Sequence, residues 1–280
     1  MMMTQTGKGY LFALITALCW STSGLFVKEV GQSSFVIVGI QALIALIFNL
    51  LYTKEKIRFT AFTMIVGFIQ FMMHLTFVLA NQYTTVGNAI VLQYSSMIFV
   101  LIYQSIDQRK KPEMYQIFVI LLALTGMIIF FIDGFSFDSI LGNGLAILSG
   151  AFFGLQFYLN TKEKADAISS VKIQYLISIL ALLIYSIKNP VASFTLKDGI
   201  FLLAAGIITV GISGITFAKC IERIPAFSAN VVCMSEVIFA PILALIFLKE
   251  WFTMHSLIGA ILIILSLLYN MYKQKGEKYV

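Results

Sequence analysis

The sequence predicts an all-α membrane protein, with ten transmembrane helices forming two inverted five-helix repeats and both termini on the cytoplasmic side. Three observations predict it. The 280 residues are 60% hydrophobic and 11% charged, whereas a soluble domain carries about 25% charged residues. About ten apolar stretches follow one another, each near the roughly 20 residues a helix needs to cross a bilayer. The positive charges alternate between connections as membrane topology demands.

The stretches run over 9–29, 34–53, 60–80, 85–106, 113–132, 140–161, 168–188, 198–219, 226–248 and 253–272. Each must be helical, because lipid cannot satisfy an open backbone. The first follows the polar start MMMTQTGKGY without a small-residue cleavage site, so it reads as a retained helix and not a removed signal peptide. The seventh and eighth are joined by a longer connection holding Asn189-Pro190, a loop signal. The other connections are short. No linker is rich in Gly, Ser or Pro, and the chain has four prolines. One membrane unit without an appended enzymatic domain is expected.

With the N-terminus inside, fifteen of the nineteen Lys and Arg residues fall in cytoplasmic segments. That bias sets both termini inside and agrees with an even number of helices. It also accounts for the net charge of +6 without nucleic acid, since the charges are scattered over short loops. Cys19, Cys220 and Cys233 all lie in or at the end of apolar stretches and form no CxxC pair. They read as small packing residues, with no disulfide framework or zinc site. With only His74 and His255 besides, no metal and no cofactor are expected.

The halves resemble each other in order. Ile40-Gln41-Ala42-Leu43-Ile44 matches Ile173-Gln174-Tyr175-Leu176-Ile177 at an offset of 133, as Ala13 matches Ala146. At an offset of 140, Thr76-Phe77 matches Thr216-Phe217, and Ala89, Val91, Ser95, Ile98 and Phe99 match Ala229, Val231, Ser235, Ile238 and Phe239. Five helices per unit is odd, so the second copy enters the membrane from the opposite side. The expected units are 1–136 and 137–280. Inverted repeats of this kind are typical of secondary transporters, whose site lies near the midplane between the halves.

Leu14-Ile15-Thr16-Ala17-Leu18-Cys19-Trp20-Ser21 in the first stretch, echoed at Gly150-Ala151-Phe152-Phe153-Gly154, and Met234-Ser235-Glu236-Val237-Ile238-Phe239-Ala240 followed by Leu248-Lys249-Glu250, carry a family likeness. The chain resembles the drug/metabolite transporter superfamily, specifically its ten-helix EamA-type members. It departs from them in having Val237 after the glutamate where a proline is usual, and Gln41 and Gln174 where an arginine is frequent. The resemblance implies an exporter or permease for amino acids or other small metabolites, and no enzyme.

Glu236 is the sharpest single feature. It lies about ten residues into its stretch, roughly 14 Å from the cytoplasmic end at 1.5 Å per residue. An ionisable side chain there costs at least ~2.5 kcal/mol, so it faces a bundle interior or a cavity. Its helical face reads Ala229, Cys233, Glu236, Ala240 and Ala244. Pro241 removes a donor to the Val237 carbonyl and points to a kink. Glu236 is a candidate for binding an amine or exchanging a proton; the structural alternative is a hydrogen-bonded acid pinning two helices. Its counterpart is Ser96, which shares a polar stripe with Gln93 and lies near Tyr94 and Asn88. These uncharged groups suit a zwitterionic or neutral substrate, or serve as interhelical glue.

Trp20 sits deep in the first stretch although Trp prefers the interface. Tyr158 and Gln156 sit in the matching sixth stretch. Such aromatic walls hold rings or ammonium groups, or simply fill the core. His74, one turn from Gln70, is a titratable candidate or a strut. The candidate substrate-binding set is therefore Glu236, Trp20, Gln93, Ser96, Tyr94, Tyr158 and His74, with Gln41, Asn49, Asn160 and Gln174 as secondary candidates. Gly211-Ile212-Ser213-Gly214 resembles the Gly-x-Ser-Gly of intramembrane serine proteases, but that chemistry needs a histidine beside the serine, and duplicated halves have no role in it.

The expectation is a multi-pass protein of a bacterial plasma membrane, monomer or homodimer, that exports small polar metabolites such as amino acids by alternating access around a midplane cavity. Its partners are that substrate and the bilayer, with a proton as candidate coupling ion. The alternative is a proton-coupled exporter of aromatic or quaternary organic cations.

Overall fold

In the computed structural model the described residues are 4–23, 26, 30–134, 139–189, 193–248 and 253–274, and the side chains at 86, 134, 241 and 244–248 lie outside that description. Every regular element among them is helical. The α-helices are α1 (Gln5–Ser21), α2 (Ser34–Tyr52), α3 (Ala61–Tyr83), α4 (Val86–Gln93), α5 (Ser96–Gln108), α6 (Met114–Phe130), α7 (Ile140–Leu159), α8 (Ala167–Lys188), α9 (Leu196–Ala204), α10 (Ser213–Ile221), α11 (Ala226–Cys233), α12 (Glu236–Leu248) and α13 (Met254–Gln274). A 3-10 turn, Ile132–Gly134, follows α6, and a π-helical stretch, Ala205–Ile212, joins α9 to α10. Seven helical runs among the described residues are long and apolar enough to cross a membrane, and 114–130 and 226–240 are shorter apolar helices. The molecule is a multi-span helical membrane protein.

Short polar side chains start the helices by satisfying their unpaired amides. Thr60 and Thr63 form a reciprocal capping box on α3, and Thr195 and Asp198 form another on α9. Thr85 and Asp166 accept from the backbone of α4 and α8.

Two of the sequence-predicted stretches are not continuous. Tyr94-Ser95 interrupts the fourth, between α4 and α5, and Met234-Ser235 interrupts the ninth, between α11 and α12. Both interruptions are built alike. The Ser95 amide bonds the Leu92 carbonyl and the Ser235 amide bonds the Val232 carbonyl, each a tightened three-residue turn. Each hydroxyl donates to the same carbonyl as its own amide, at 2.6 Å for Ser95 and 2.8 Å for Ser235. A serine that bonds its own backbone in this way competes with the regular ladder. Pro241, where the sequence points to a kink, and Ala244 have side chains outside the described residues, as do Lys249 and Glu250 altogether.

Small residues cover both interruptions. On α7, a Cβ at Gly150 would fall 2.7 Å from the Gln93 carbonyl, and one at Gly154 would fall 2.8 Å from that of Ser96. The Gly150-x-x-x-Gly154 pair thus lets α7 touch bare backbone. On the other side α1 packs against α11 and α12, with Ala13 and Ala17 fully buried. Helix α6 meets α13 where Gly126 and Gly259 face each other, and a Cβ at Gly259 would lie 2.5 Å from the Gly126 carbonyl. The remaining large contacts join α3 to α7 and α8, α2 to α8 and to the π stretch, and α1 to α10. Outward faces are apolar, as at Leu43, Ile47 and Leu50 on α2 and Ile261, Leu265 and Leu268 on α13.

Candidate functional site

The helices enclose a cavity of about 650 Å³. Its mouth is polar: Asn81 and Gln82 from the end of α3, Thr84 and Thr85 from the turn after it, and Gln32 before α2. Gln82 and Thr85 are exposed, so the cavity reaches the surface there. Its opposite end is floored by rings. Trp20 on α1 lies 5.4 Å from Phe153 on α7 and 6.0 Å from Phe217 on α10. Beneath them Phe157, fully buried, stands 5.0 Å from Phe153 and 5.2 Å from Phe217.

Below that floor, near the start of α8, connections lock to helix ends. Lys162 donates to Asp107 at 2.6 Å and its ammonium stands 4.3 Å above the Tyr158 ring. Desolvation pulls the Lys162 ammonium toward neutrality, but its bonds to Asp107 and Tyr158 outweigh that and leave its pKa raised. Arg58 pairs with Asp166 at 3.7 Å. Lys172, in the second turn of α8, is fully buried and donates to the Glu55 carbonyl at 2.7 Å. A buried ammonium keeps such a partner because an unpaired one is costly.

Of the sequence-predicted candidates, Glu236, Trp20, Gln93 and His74 line the cavity, as does Gln174 of the secondary ones. Glu236 opens α12 just after the Met234-Ser235 interruption, and among the described lining residues it is the sole carboxylate, with no Lys or Arg. Tyr94, Ser96 and Tyr158 do not line it. Tyr94 sits at the other interruption, beside Glu236, and donates its hydroxyl to the Cys233 carbonyl at 3.1 Å. Ser96 is fully buried and exchanges hydrogen bonds with Asn230 at 3.0 and 3.2 Å. Tyr158 belongs to the Lys162–Asp107 cluster. Gln93 is anchored, its amide donating to Ser149 at 2.9 Å, and Ser149 in turn donates to the Met73 carbonyl.

Other lining residues were less legible. Phe217 and Phe153 look like any core ring in a chain with 25 Phe. The π stretch turns Thr209 and Val210 into the wall. Carbonyls displaced from the regular ladder there are met by side chains: Tyr175 donates to Val210 at 2.8 Å and Asn49 to Gly211 at 3.0 Å. Ser213 of the protease-like Gly-x-Ser-Gly lines the cavity, but its hydroxyl donates to the Thr209 and Val210 carbonyls. His255 pairs with Asp133 at an exposed position. No cluster of three metal-ligating side chains occurs among the described residues.

An open polar mouth, a closed aromatic floor and, among the described lining residues, one acid describe a compartment for a small molecule. Comparisons with known proteins bear on its use. The sequence is 24% identical, over 94% of its length and 93% of the other's, to an uncharacterized transporter of Clostridium kluyveri. A crystal structure at 14% identity superposes with a TM-score of 0.81 over 96% of this chain and 99% of that one, which shows a shared fold. The sequence profile of the EamA-like transporter family matches residues 7–132 and again 140–272. The chain therefore belongs to the EamA-like transporter family.

Proposed function

We propose that this transporter moves small polar metabolites, amino acids among them, outward across a bacterial plasma membrane by alternating access. In this reading ten helices span the membrane with both termini cytoplasmic, and residues 1–136 and 137–280 are inverted repeats. The α4–α5, α9–α10 and α11–α12 runs each count as one span. The observation that carries the reading is how the helix contacts behave when the halves are exchanged. The α1–α10 contact corresponds to α3–α7, and the contact of α1 with α11 and α12 corresponds to that of α7 with α4 and α5. The α3–α8 contact corresponds to that of α2 with the π stretch, while α2–α8 and α6–α13 correspond to themselves. Halves related in this way can exchange shapes and so open one cavity to either side.

The polar mouth then faces outward and the aromatic floor closes the cytoplasmic side. Glu236, Trp20, Gln93 and His74 supply the binding surface. Tyr94 and Ser96 support it from the interruption opposite, and Tyr158 belongs to the inner closure. A second reading, proton-coupled export of aromatic or quaternary cations, is favoured by Glu236 lining the cavity with no Lys or Arg among the described lining residues. Purified protein in liposomes tests both. Saturable flux of neutral amino acids that survives Glu236→Gln is the expected result. Flux restricted to organic cations, driven by a pH gradient and abolished by that substitution, selects the second reading. Absence of saturable flux for every metabolite tested rejects both.

A further inference from the structure

Helices α5 and α6 are joined by the short connection 109–113 yet scarcely touch, since α5 packs on α7 and α11 and α6 packs on α13. Between them lies a second hollow, a groove of about 420 Å³. Ile98, Ile102 and Ile106, one per turn of α5, form one wall, and Ile117 and Leu121 of α6 form the other; all are exposed at the surface of the bundle. Ser105 is the one polar residue among its described lining. Such a recess between membrane spans offers water too few polar partners to hold it, so it takes an apolar occupant. From Ile98 to Ile106 it follows α5 for roughly 12 Å at 1.5 Å per residue, the course of an acyl chain running inward from the membrane surface.

The surface end of the groove is basic. Ile106 and Pro112 line it on either side of the turn, and between them in sequence stand Arg109, Lys110 and Lys111, all exposed. Of the acids beside this run, Asp107 takes Lys162 at 2.6 Å and Glu113 is the N-cap of α6. Among the described residues no ion pair engages Arg109, Lys110 or Lys111. Arg109 ends α5 with φ at 53°, the sole non-glycine residue with positive φ among those described. Glycine usually fills that place, so the backbone gives no reason for an arginine there.

We infer that this groove and turn bind an anionic phospholipid, with one acyl chain between α5 and α6 and the phosphate on Arg109, Lys110 and Lys111. The arginine fork matches a phosphate, and basic pockets between spans recruit anionic headgroups. A zwitterionic lipid brings the same chains, but its own cation opposes the run. A second copy of the chain, seated here by two-fold symmetry, would bring its own basic turn against this one. The inference is independent of what the cavity carries.

The full-length protein in detergent is titrated with dioleoylphosphatidylglycerol and dioleoylphosphatidylcholine, which share chains and differ in headgroup charge. Native mass spectrometry reads the first bound lipid. Expected is phosphatidylglycerol bound about tenfold or more tighter. Lys110→Gln and Lys111→Gln each weaken it about fivefold. Arg109→Gly does the same with a melting temperature unchanged or higher, because glycine suits that backbone; a purely structural arginine would leave lipid affinity alone. Ile102→Trp and Leu121→Trp, which fill the groove from exposed positions, each weaken both lipids, and either carries the test if the other fails to fold. Glycerol 3-phosphate, a headgroup without chains, does not compete. Equal binding of the two lipids, or a preference that survives all three charge substitutions, overturns the site. So does competition by glycerol 3-phosphate, unchanged binding by the groove-filling variants, or a dimer that excludes lipid and that Ile102→Trp dissociates.

Discussion

At the scale of single residues, the one carboxylate among the described cavity residues stands where a helix restarts. Glu236 begins α12, and Tyr94 stands beside it from the matching interruption on the other half. The acid was legible because an ionisable residue at membrane depth has few structural uses. Gln70 and Gln156 were visible only as polar neighbours of His74 and Tyr158; which amides would be anchored and which left free depends on tertiary contacts that no spacing encodes. Ser96 read as a cavity candidate because its helical face is polar and Tyr158 because aromatic walls hold rings or ammonium groups, but Ser96 spends its polarity on Asn230 and Tyr158 on the Lys162–Asp107 cluster. Ser96→Ala removes an interhelical pair to Asn230 and should cost about 0.6 kcal/mol, the average for such bonds in membranes. Denaturant unfolding in micelles measures this, and unimpaired transport by the variant separates it from the cavity residues.

At the scale of elements, apolar runs and connection charges made nearly every helix readable before any coordinates. The predicted stretches at 140–161, 168–188 and 253–272 end within about two residues of α7, α8 and α13. Interruptions and the π stretch were not readable. Hydropathy is blind to whether a serine faces outward or turns on its own backbone, and Ser95 and Ser235 do the latter. The displaced carbonyls of the π stretch depend on Asn49 and Tyr175. Asn49→Leu together with Tyr175→Phe should lower stability by about 1 kcal/mol or more, at the average of roughly 0.6 kcal/mol per bond, and hydrogen exchange should rise at 205–213. Gly259 on α13 is a harder constraint, because an added methyl would meet the Gly126 carbonyl and the Phe130 backbone amide, 2.6 Å away. Gly259→Ala should destabilise by about 1–3 kcal/mol, as overpacking does, seen as a lower melting temperature.

At the scale of the whole molecule, the in-order matches at offsets of 133 and 140 are the sequence basis of the two-repeat reading proposed above. Which end stands closed was not legible, because that depends on which partners the connections find. Lys162 and Asp107, 33% and 49% exposed, help hold that end. Lys162→Ala should shift the balance away from closure of that end by about 1.4- to 5-fold, the effect of an exposed pair worth about 0.2–1 kcal/mol. Labelling of Asn81→Cys by a membrane-impermeant maleimide, with and without Lys162→Ala, reads the change; faster labelling would reverse the assignment of the closed end.

The ring floor carries one more consequence. At the 133-residue offset Trp20 answers to Phe153, but Phe157 answers to Gly24. One door has a bolt whose twin was never fitted. In the inverted-repeat reading proposed above, so uneven a pair favours the shape in which the Phe157 end is closed.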